Sequence, residues 1–447
     1  MLRTIRLLLL SGLLIVAATS VIQAQAAATS TVEVLTAKGI VNPILADYIR
    51  RGIDQAEESN AIAVIIQMDT PGGLDTSMRD IVQSIVSAQV PVIVYVSPSG
   101  ARAASAGVFI TVAAHIAAMA PNTAIGAAHP VSIGPQGAQD IPTDMTEKVV
   151  NDAAAYIRSI ALSHGRNMDW AEKAVRESVS ATEQEALKLK VIDMVAPDLN
   201  SLISQLDGLK VTLLGGAVVT LNTRGATINH NPMTSTEDFL YAISDPNIAY
   251  LLLSVATLGI MAELSNPGLI FPGVIGAISL LMAFFSLGTL PVNYAGIGLI
   301  ILALGLLIGE VFTGIGVLAA GGIISLILGS SILFKGGSLF QVSPWLIGTI
   351  TIIVASFFIF LVSRVIKAHR LQATTGWEEL IGKPALVKVA LAPEGMVLYR
   401  GERWKAVSEE GKVAPGEEVI INKVDNLVLH VTRKNSPTSS LQNRSAN

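Results

Sequence analysis

The chain has 447 residues, no cysteine, a formal net charge of -4, 51% hydrophobic residues and only 14% charged ones, against about 25% charged in an ordinary soluble domain. That deficit points to a membrane protein, and the absence of cysteine excludes disulfides, thiolate metal sites and a thiol nucleophile while fitting an oxidising compartment. With 30 Lys and Arg against 34 Asp and Glu there is no basic stripe of the kind nucleic-acid binding needs, so nucleic acid drops out as the leading partner.

Arg3 and Arg6 precede an apolar stretch over residues 7–22, followed by Ala24-Gln25-Ala26. A positive start, a short apolar region and a small-residue cleavage site predict a secretory signal peptide over residues 1–26. An uncleaved anchor is the alternative, since the stretch is close to a spanning length. In both readings the segment that follows leaves the cytoplasm. Residues 27–240 have the composition of a soluble domain, with charges spread throughout and enough chain for one core. In order, the pattern predicts a strand at 32–35, an amphipathic helix at 43–58, a buried strand at 61–68, a helix at 76–88, a second buried strand at 91–96 and a helix from about 105. Strands and helices alternating at this spacing predict βαβ units and a mostly parallel sheet.

Between Pro246 and Ser363 the only charged residues are Glu263, Glu310 and Lys335. Breakers divide this region into five apolar stretches, at about 247–262, 272–290, 295–312, 315–334 and 344–363, most of them near the ~20 residues that span a bilayer. A transmembrane domain of about five helices over 247–363 is therefore expected. The basic cluster Arg364, Lys367, His369 and Arg370 belongs in the cytoplasm by the positive-inside rule, and five spans put it opposite an exported N-terminal domain. Glu263 and Glu310 lie near span ends and read as interfacial, which weakens a transporter reading. In the tail, 382–434, apolar and polar residues alternate over 385–392, 395–406 and 418–432, which predicts a small β-barrel or sandwich of about five strands. Residues 435–447, rich in Ser and Asn, are expected to be a disordered tail.

Chemistry belongs where buried parallel strands end in loops facing a helix N-terminus. One such loop is Asp69-Thr70-Pro71-Gly72-Gly73-Leu74, whose glycines let backbone N–H groups turn toward the negative oxygen of a tetrahedral intermediate. A plain structural turn is the alternative. In the second loop, Ser105 lies among small residues in Ala103-Ala104-Ser105-Ala106-Gly107, open to close approach by a polypeptide; it also suits a helix N-cap. A serine nucleophile needs a base. His129, in Ala127-Ala128-His129-Pro130, and Lys148, at the start of an amphipathic helix reaching about Ser163, both qualify, and spacing does not choose between them.

The run Asp69-Thr70-Pro71-Gly72-Gly73, then Pro98-Ser99-Gly100 through Ala104-Ser105-Ala106-Gly107, then Ala120-Pro121-Asn122-Thr123-Ala124-Ile125-Gly126 resembles the exported serine protease domain of the long NfeD family. That domain belongs to the Clp protease and signal peptide peptidase A superfamily, with the crotonase-type ββα spiral. The resemblance covers essentially the whole chain: signal peptide, protease domain, membrane spans and a C-terminal NfeD domain with an OB-type barrel, whose motif Gly395, Gly401, Glu402, Trp404 and Ala406 resemble. It implies a Ser-Lys dyad, with Ser105 as nucleophile and Lys148 as base, and an oxyanion hole from Gly72 and Gly73 with help from the N–H of Ala106. His129 sits roughly where Clp proteases carry their histidine and stays as the alternative base. The resemblance also implies a stomatin-like membrane protein as partner or substrate and a dimeric or larger homo-oligomer. No cofactor or metal is expected. The reading is a membrane-anchored serine endopeptidase cleaving apolar segments of membrane-associated proteins outside the cytoplasm; the alternative is a non-proteolytic scaffold or peptide-binding protein working with a stomatin-like partner.

Overall fold

The structure, a computed structural model, describes residues 31–130, 143–265, 268, 270–335, 340–370 and 377–434. The expected signal peptide and disordered tail lie outside the described residues. The chain divides into two compact units, residues 1–356 and 357–447.

The first unit begins with a six-stranded sheet in the spatial order Thr227–His230, Thr31–Lys38, Ala63–Asp69, Val92–Val96, Ile116–Met119 and Met194–Val195, parallel throughout. Its central strands read Ala-Val-Ile-Ile-Gln-Met-Asp and Val-Ile-Val-Tyr-Val. Near-continuous apolar runs of this kind belong to parallel strands covered on both faces. On one face Val64, Ile66, Val92 and Val94 pack with helices α1 (Pro43–Glu58) and α2 (Asp75–Ser87); on the other, Ile65, Ile93 and Tyr95 pack with Leu202 and Leu206. A small second sheet lies beside it. Arg102–Ala104 pairs in parallel with Ala124–Gly126, which pairs antiparallel with Ser180–Thr182, and Thr70 bridges to Ala103. A strand of the large sheet, a short strand of the small one and then a helix recur along the chain, with α3 (Ala106–Ala113) and α4 (Thr143–Ser163) closing two such units. This is the ββα spiral that the resemblance implies. Helices α5 (Met168–Arg176), α6 (Glu183–Lys188), α7 (Leu199–Leu206) and α8 (Ser235–Ile243) complete the domain.

Five apolar helices follow: α9 (Pro246–Ser265), α10 (Phe271–Thr289), α11 (Tyr294–Thr313), α12 (Val317–Ser331) and α13 (Pro344–Arg370). Two of them, over Pro246–Leu264 and Phe271–Thr289, are long and apolar enough to cross a membrane; the apolar parts of the other three are shorter. Between apolar helices the hydrophobic effect offers little, so close approach of small residues does the work. A β-carbon on Gly276 would stand 2.9 Å from the Ile260 nitrogen, and one on Gly329 3.0 Å from the Gly296 carbonyl. Glu310, expected at an interface, is 1% exposed: its carboxylate accepts from the N–H groups of Gly316 at 2.6 Å and Ala319 at 3.1 Å, satisfying two donors that the start of α12 leaves without helical acceptors.

The second unit holds a closed five-stranded barrel, ordered Pro384–Val389, Glu394–Tyr399, Glu402–Ser408, Val428–Arg433, Glu418–Asp425. Its one parallel pair, Glu402–Ser408 with Val428–Arg433, gives the OB-type connection. Two of the alternating sequence runs each split into two strands, because Arg400-Gly401 and Asn426-Leu427 turn with positive φ.

The far end of α3 is fixed by Arg166, which is 6% exposed and donates to the carbonyls of Val112 and Ala114 at 2.7 Å each and to Asp193 at 2.6 Å. A buried cation suits the carbonyl end of a helix. It also disfavours protonation of neighbours. Burial, and then the His164 ring and the Arg166 charge, lower the His115 pKa from 6.5 to about 4, and its Nδ1 accepts from the Val92 N–H at 3.1 Å, a bond that only the unprotonated nitrogen can take. Burial lowers that of His164 too. Because the unfolded chain binds these protons more tightly, the stability they contribute is complete above pH 6.5 and is lost as the pH falls toward 4. Thermal unfolding of the purified protein should therefore weaken over that window, and His115→Asn, which keeps an acceptor for Val92, should flatten the dependence.

Candidate active site

Ser105 occupies the turn between the short strand Arg102–Ala104 and α3, at φ 52° and ψ -112°, a conformation that costs a non-glycine residue about 1–3 kcal/mol. The surroundings hold it there: its N–H donates to the Gly126 carbonyl at 3.2 Å and its own carbonyl accepts from Val108 at 3.0 Å. The side chain makes no helix-capping bond, so the N-cap role that the sequence also allowed is not what the hydroxyl does. The turn leaves it half-buried at the rim of a cavity of about 480 Å³.

The Gly-Gly loop faces it. Val41 donates to the Gly72 carbonyl at 2.9 Å and Leu74 donates to the Val41 carbonyl at 2.8 Å, so residues 72–74 run as a strip beside Val41. Side chains are excluded at both glycines. A β-carbon on Gly73 would lie 2.1 Å from the Val41 carbonyl oxygen, and one on Gly72, whose φ is +119°, 2.7 Å from the β-carbon of Ser105. The Gly72 N–H donates to Thr70 Oγ1 at 3.0 Å. The N–H groups of Gly73 and Ala106 have no hydrogen-bond partner among the described residues, and both residues line the cavity. Ala106 is the first residue of α3, where backbone N–H groups lack helical acceptors and favour negative charge.

Lys148 lines the same cavity from α4, a helix that begins a turn earlier than the sequence suggested. His129 is half-buried, and its Nδ1 is bonded to the Val175 carbonyl at 2.8 Å. The neighbours of His129, Ala128 and Pro130, line the cavity, but His129 itself does not. Sequence reasoning missed a group opposite the serine. Arg79 on α2 binds Asp75 at 2.8 Å and Asp152 on α4 at 2.5 Å, and its guanidinium lies 4.4 Å from the centre of the Tyr156 ring, which stacks on Phe109 of α3 at 6.1 Å. Partial burial works against the Arg79 charge, and the two carboxylates more than offset it, raising its pKa. Of these contacts only the helical Asp75–Arg79 spacing was visible in the sequence. The remaining wall includes Phe340, from the segment between α12 and α13. Among the described residues no cluster of metal-ligating side chains occurs.

Family models match over three regions: an NfeD1b N-terminal domain over residues 31–203, an NfeD integral membrane domain over 247–364 and an NfeD-like C-terminal, partner-binding domain over 378–433. The chain is 39% identical to the membrane-bound protease PH1510 of Pyrococcus horikoshii over 91% of this chain and 94% of that protein. To the membrane protein NfeD1b of Bacillus subtilis it is 28% identical, over 88% of this chain and 91% of that one. Among solved structures, a lysine-to-alanine variant of the 1510-N membrane-bound stomatin-specific protease, in complex with a substrate peptide, is 38% identical over 48% of this chain and 98% of its own, with a TM-score of 0.45.

The missing space at Gly72 yields a direct expectation. Gly72→Ala should displace Ser105 and lower its labelling by a fluorophosphonate at least tenfold, while circular dichroism retains the helical signal; undiminished labelling would show that the hydroxyl does not depend on that contact.

Proposed function

We propose, from the premise that the chain belongs to the NfeD family of membrane proteins, that it is a membrane-anchored serine endopeptidase acting on apolar segments of membrane-associated proteins outside the cytoplasm. The observation that carries this reading is one cavity lined by Ser105, Lys148, Gly73 and Ala106, the backbone N–H groups of the last two having no partner among the described residues. Its relative PH1510, similar over nearly the whole length, bears the name of a membrane-bound protease.

Ser105 Oγ attacks the scissile carbonyl carbon and its proton passes to the neutral amine of Lys148. The carbonyl oxygen becomes an oxyanion, held by the N–H groups of Gly73 and Ala106. Gly72, whose N–H is committed to Thr70, serves by leaving room for the serine. As the C–N bond breaks, Lys148 returns the proton to the leaving amine, and water then releases the acyl group by the same steps. His129 is the less suited base, since its ring is tied to Val175 and is not among the cavity-lining groups.

Apolar walls from Met78, Phe109, Val149 and Phe340 favour apolar side chains in the substrate. A stomatin-like membrane protein is the proposed partner or substrate, with the C-terminal barrel as its docking module, in keeping with a family match described as partner-binding. With an exported N-terminal domain and five spans, the barrel faces the cytoplasm; the working form is a dimer or larger. The contrasting reading is a peptide-binding scaffold without chemistry.

On an apolar peptide, Ser105→Ala and Lys148→Ala should each lose at least a thousandfold in kcat/KM and the double variant little more, because the two act as one unit. His129→Ala should stay within tenfold of the parent. Binding of the peptide with no cleavage by the parent protein would favour the scaffold, and the reverse ranking of Lys148 and His129 would replace the dyad. Reporter fusions at about residue 240 and at the C-terminus should report opposite compartments; the same compartment for both would make the span count even.

A further inference from the structure

We propose that Arg79 is a positioning residue that holds the Asp75 and Asp152 carboxylates away from the Lys148 amine, so that the amine can act as a base at a lower pH than it could beside free carboxylates. This rests on the reading of Lys148 as the base. Among the described residues, the charged ones lining the cavity are Asp75, Arg79, Lys148 and Asp152. Lys148 and Asp152 lie four residues apart on α4, the spacing at which helical side chains meet and a carboxylate would pair with an ammonium. That pair is not formed. Asp152 Oδ2 bonds Arg79 Nη2 at 2.5 Å, Asp75 Oδ2 bonds Arg79 Nε at 2.8 Å, and Lys148 has no ion pair among the described residues.

The guanidinium is held for this task. It lies over the Tyr156 ring, one turn further along α4 from Asp152, and that ring stacks on Phe109 of the helix that begins after the nucleophile. Its planar fork can hold two carboxylates at once, which a lysine does less well. As a source of stability the arrangement counts for little, because the Asp152 side chain is 68% exposed and the Asp75 side chain 62%. Its effect lies in where it puts two negative charges relative to one amine.

Among the described residues, the other charged groups near the cavity have partners or places of their own. The helix α3 carries no charged side chain. On α5, Glu172 pairs with Arg158 and Arg176, and Arg176 also bonds Asn151. His129 is tied to Val175, and Glu147, next to Lys148 in sequence, is not among the cavity-lining residues. Tyr156 has its hydroxyl pKa raised, by burial first, and stays neutral through the working range.

The test is the pH dependence of kcat/KM for an apolar peptide, measured on the full-length protein in lipid nanodiscs. Arg79→Met frees both carboxylates and should move the rising limb of the profile toward alkaline pH by about one unit. Arg79→Lys should keep most of the original position, and Arg79→Met combined with Asp152→Asn should reverse most of the shift. Asp152→Asn alone, at an exposed position that folding tolerates, should leave the limb in place or move it toward acid. A limb unmoved in Arg79→Met, with kcat lowered equally at every pH, would reduce Arg79 to a structural support and overturn the proposal, as would an alkaline shift in Asp152→Asn. If Ser105→Ala or Lys148→Ala keeps full activity, the proposed function or its base fails instead, so the two failures are told apart.

Discussion

The site depends on the absence of two carbon atoms. At Gly72 a β-carbon would press on Ser105, and at Gly73 it would fall on the Val41 carbonyl. Any other residue at either position would push the Gly-Gly strip away from Ser105 or from the strand end that supports it. The strained backbone of Ser105 belongs to the same constraint: a tight strand-to-helix turn brings the hydroxyl beside the strip and places the N–H of Ala106 next to it. Both costs are met by the surrounding packing of the spiral, whose core residues, among them Val108, Ile110, Ile66 and Val94, are fully buried.

The strip is supported from the membrane side as well. Tyr241 on α8 donates to the carbonyls of Lys38 at 2.8 Å and Ile40 at 3.0 Å, with its hydroxyl pKa pushed up to about 12, by burial first. Val41 follows directly and pairs with the strip. Two residues beyond Tyr241, the Ile243 carbonyl accepts from Ser286 on α10 at 2.6 Å, and the neighbouring Ser244 hydroxyl accepts from Thr289 at 3.1 Å. A short series of hydrogen bonds thus joins an apolar helix to the loop opposite the serine. With Phe340 in the cavity wall, the membrane half shares in shaping the site.

Much of this was legible in the sequence, for physical reasons that differ from part to part. The helix Pro43–Glu58 was readable to the residue because Asn42 caps it and Pro43 opens it, both local signals. The apolar helices were readable because charge is almost absent between their breakers. In the barrel the strand number was legible and the boundaries were not: Arg400-Gly401 and Asn426-Leu427 interrupt alternating runs without breaking their period, so one run covers two strands. At the site, Ser105, Gly73, Ala106 and Lys148 were marked by loop chemistry and by resemblance. The bond that occupies the Gly72 N–H, the link from Arg79 to Asp152 across 73 positions, and the place of Phe340 were not. These depend on which surfaces the fold brings face to face, and no local pattern encodes that.

Glu310 bears on how two of the apolar helices pair. One of its carboxylate oxygens takes the N–H of Gly316 and the other that of Ala319, while Ser325 on α12 donates to the Leu299 carbonyl on α11 at 2.8 Å. Apart, α11 would carry a bare carboxylate into hydrocarbon and α12 would carry unsatisfied amides, each costly there. Together the carboxylate and two of these amides satisfy one another. The helix pair, rather than either helix alone, is therefore the unit in which these polar groups find partners, and its pairing is fixed by hydrogen bonds as well as by apolar packing.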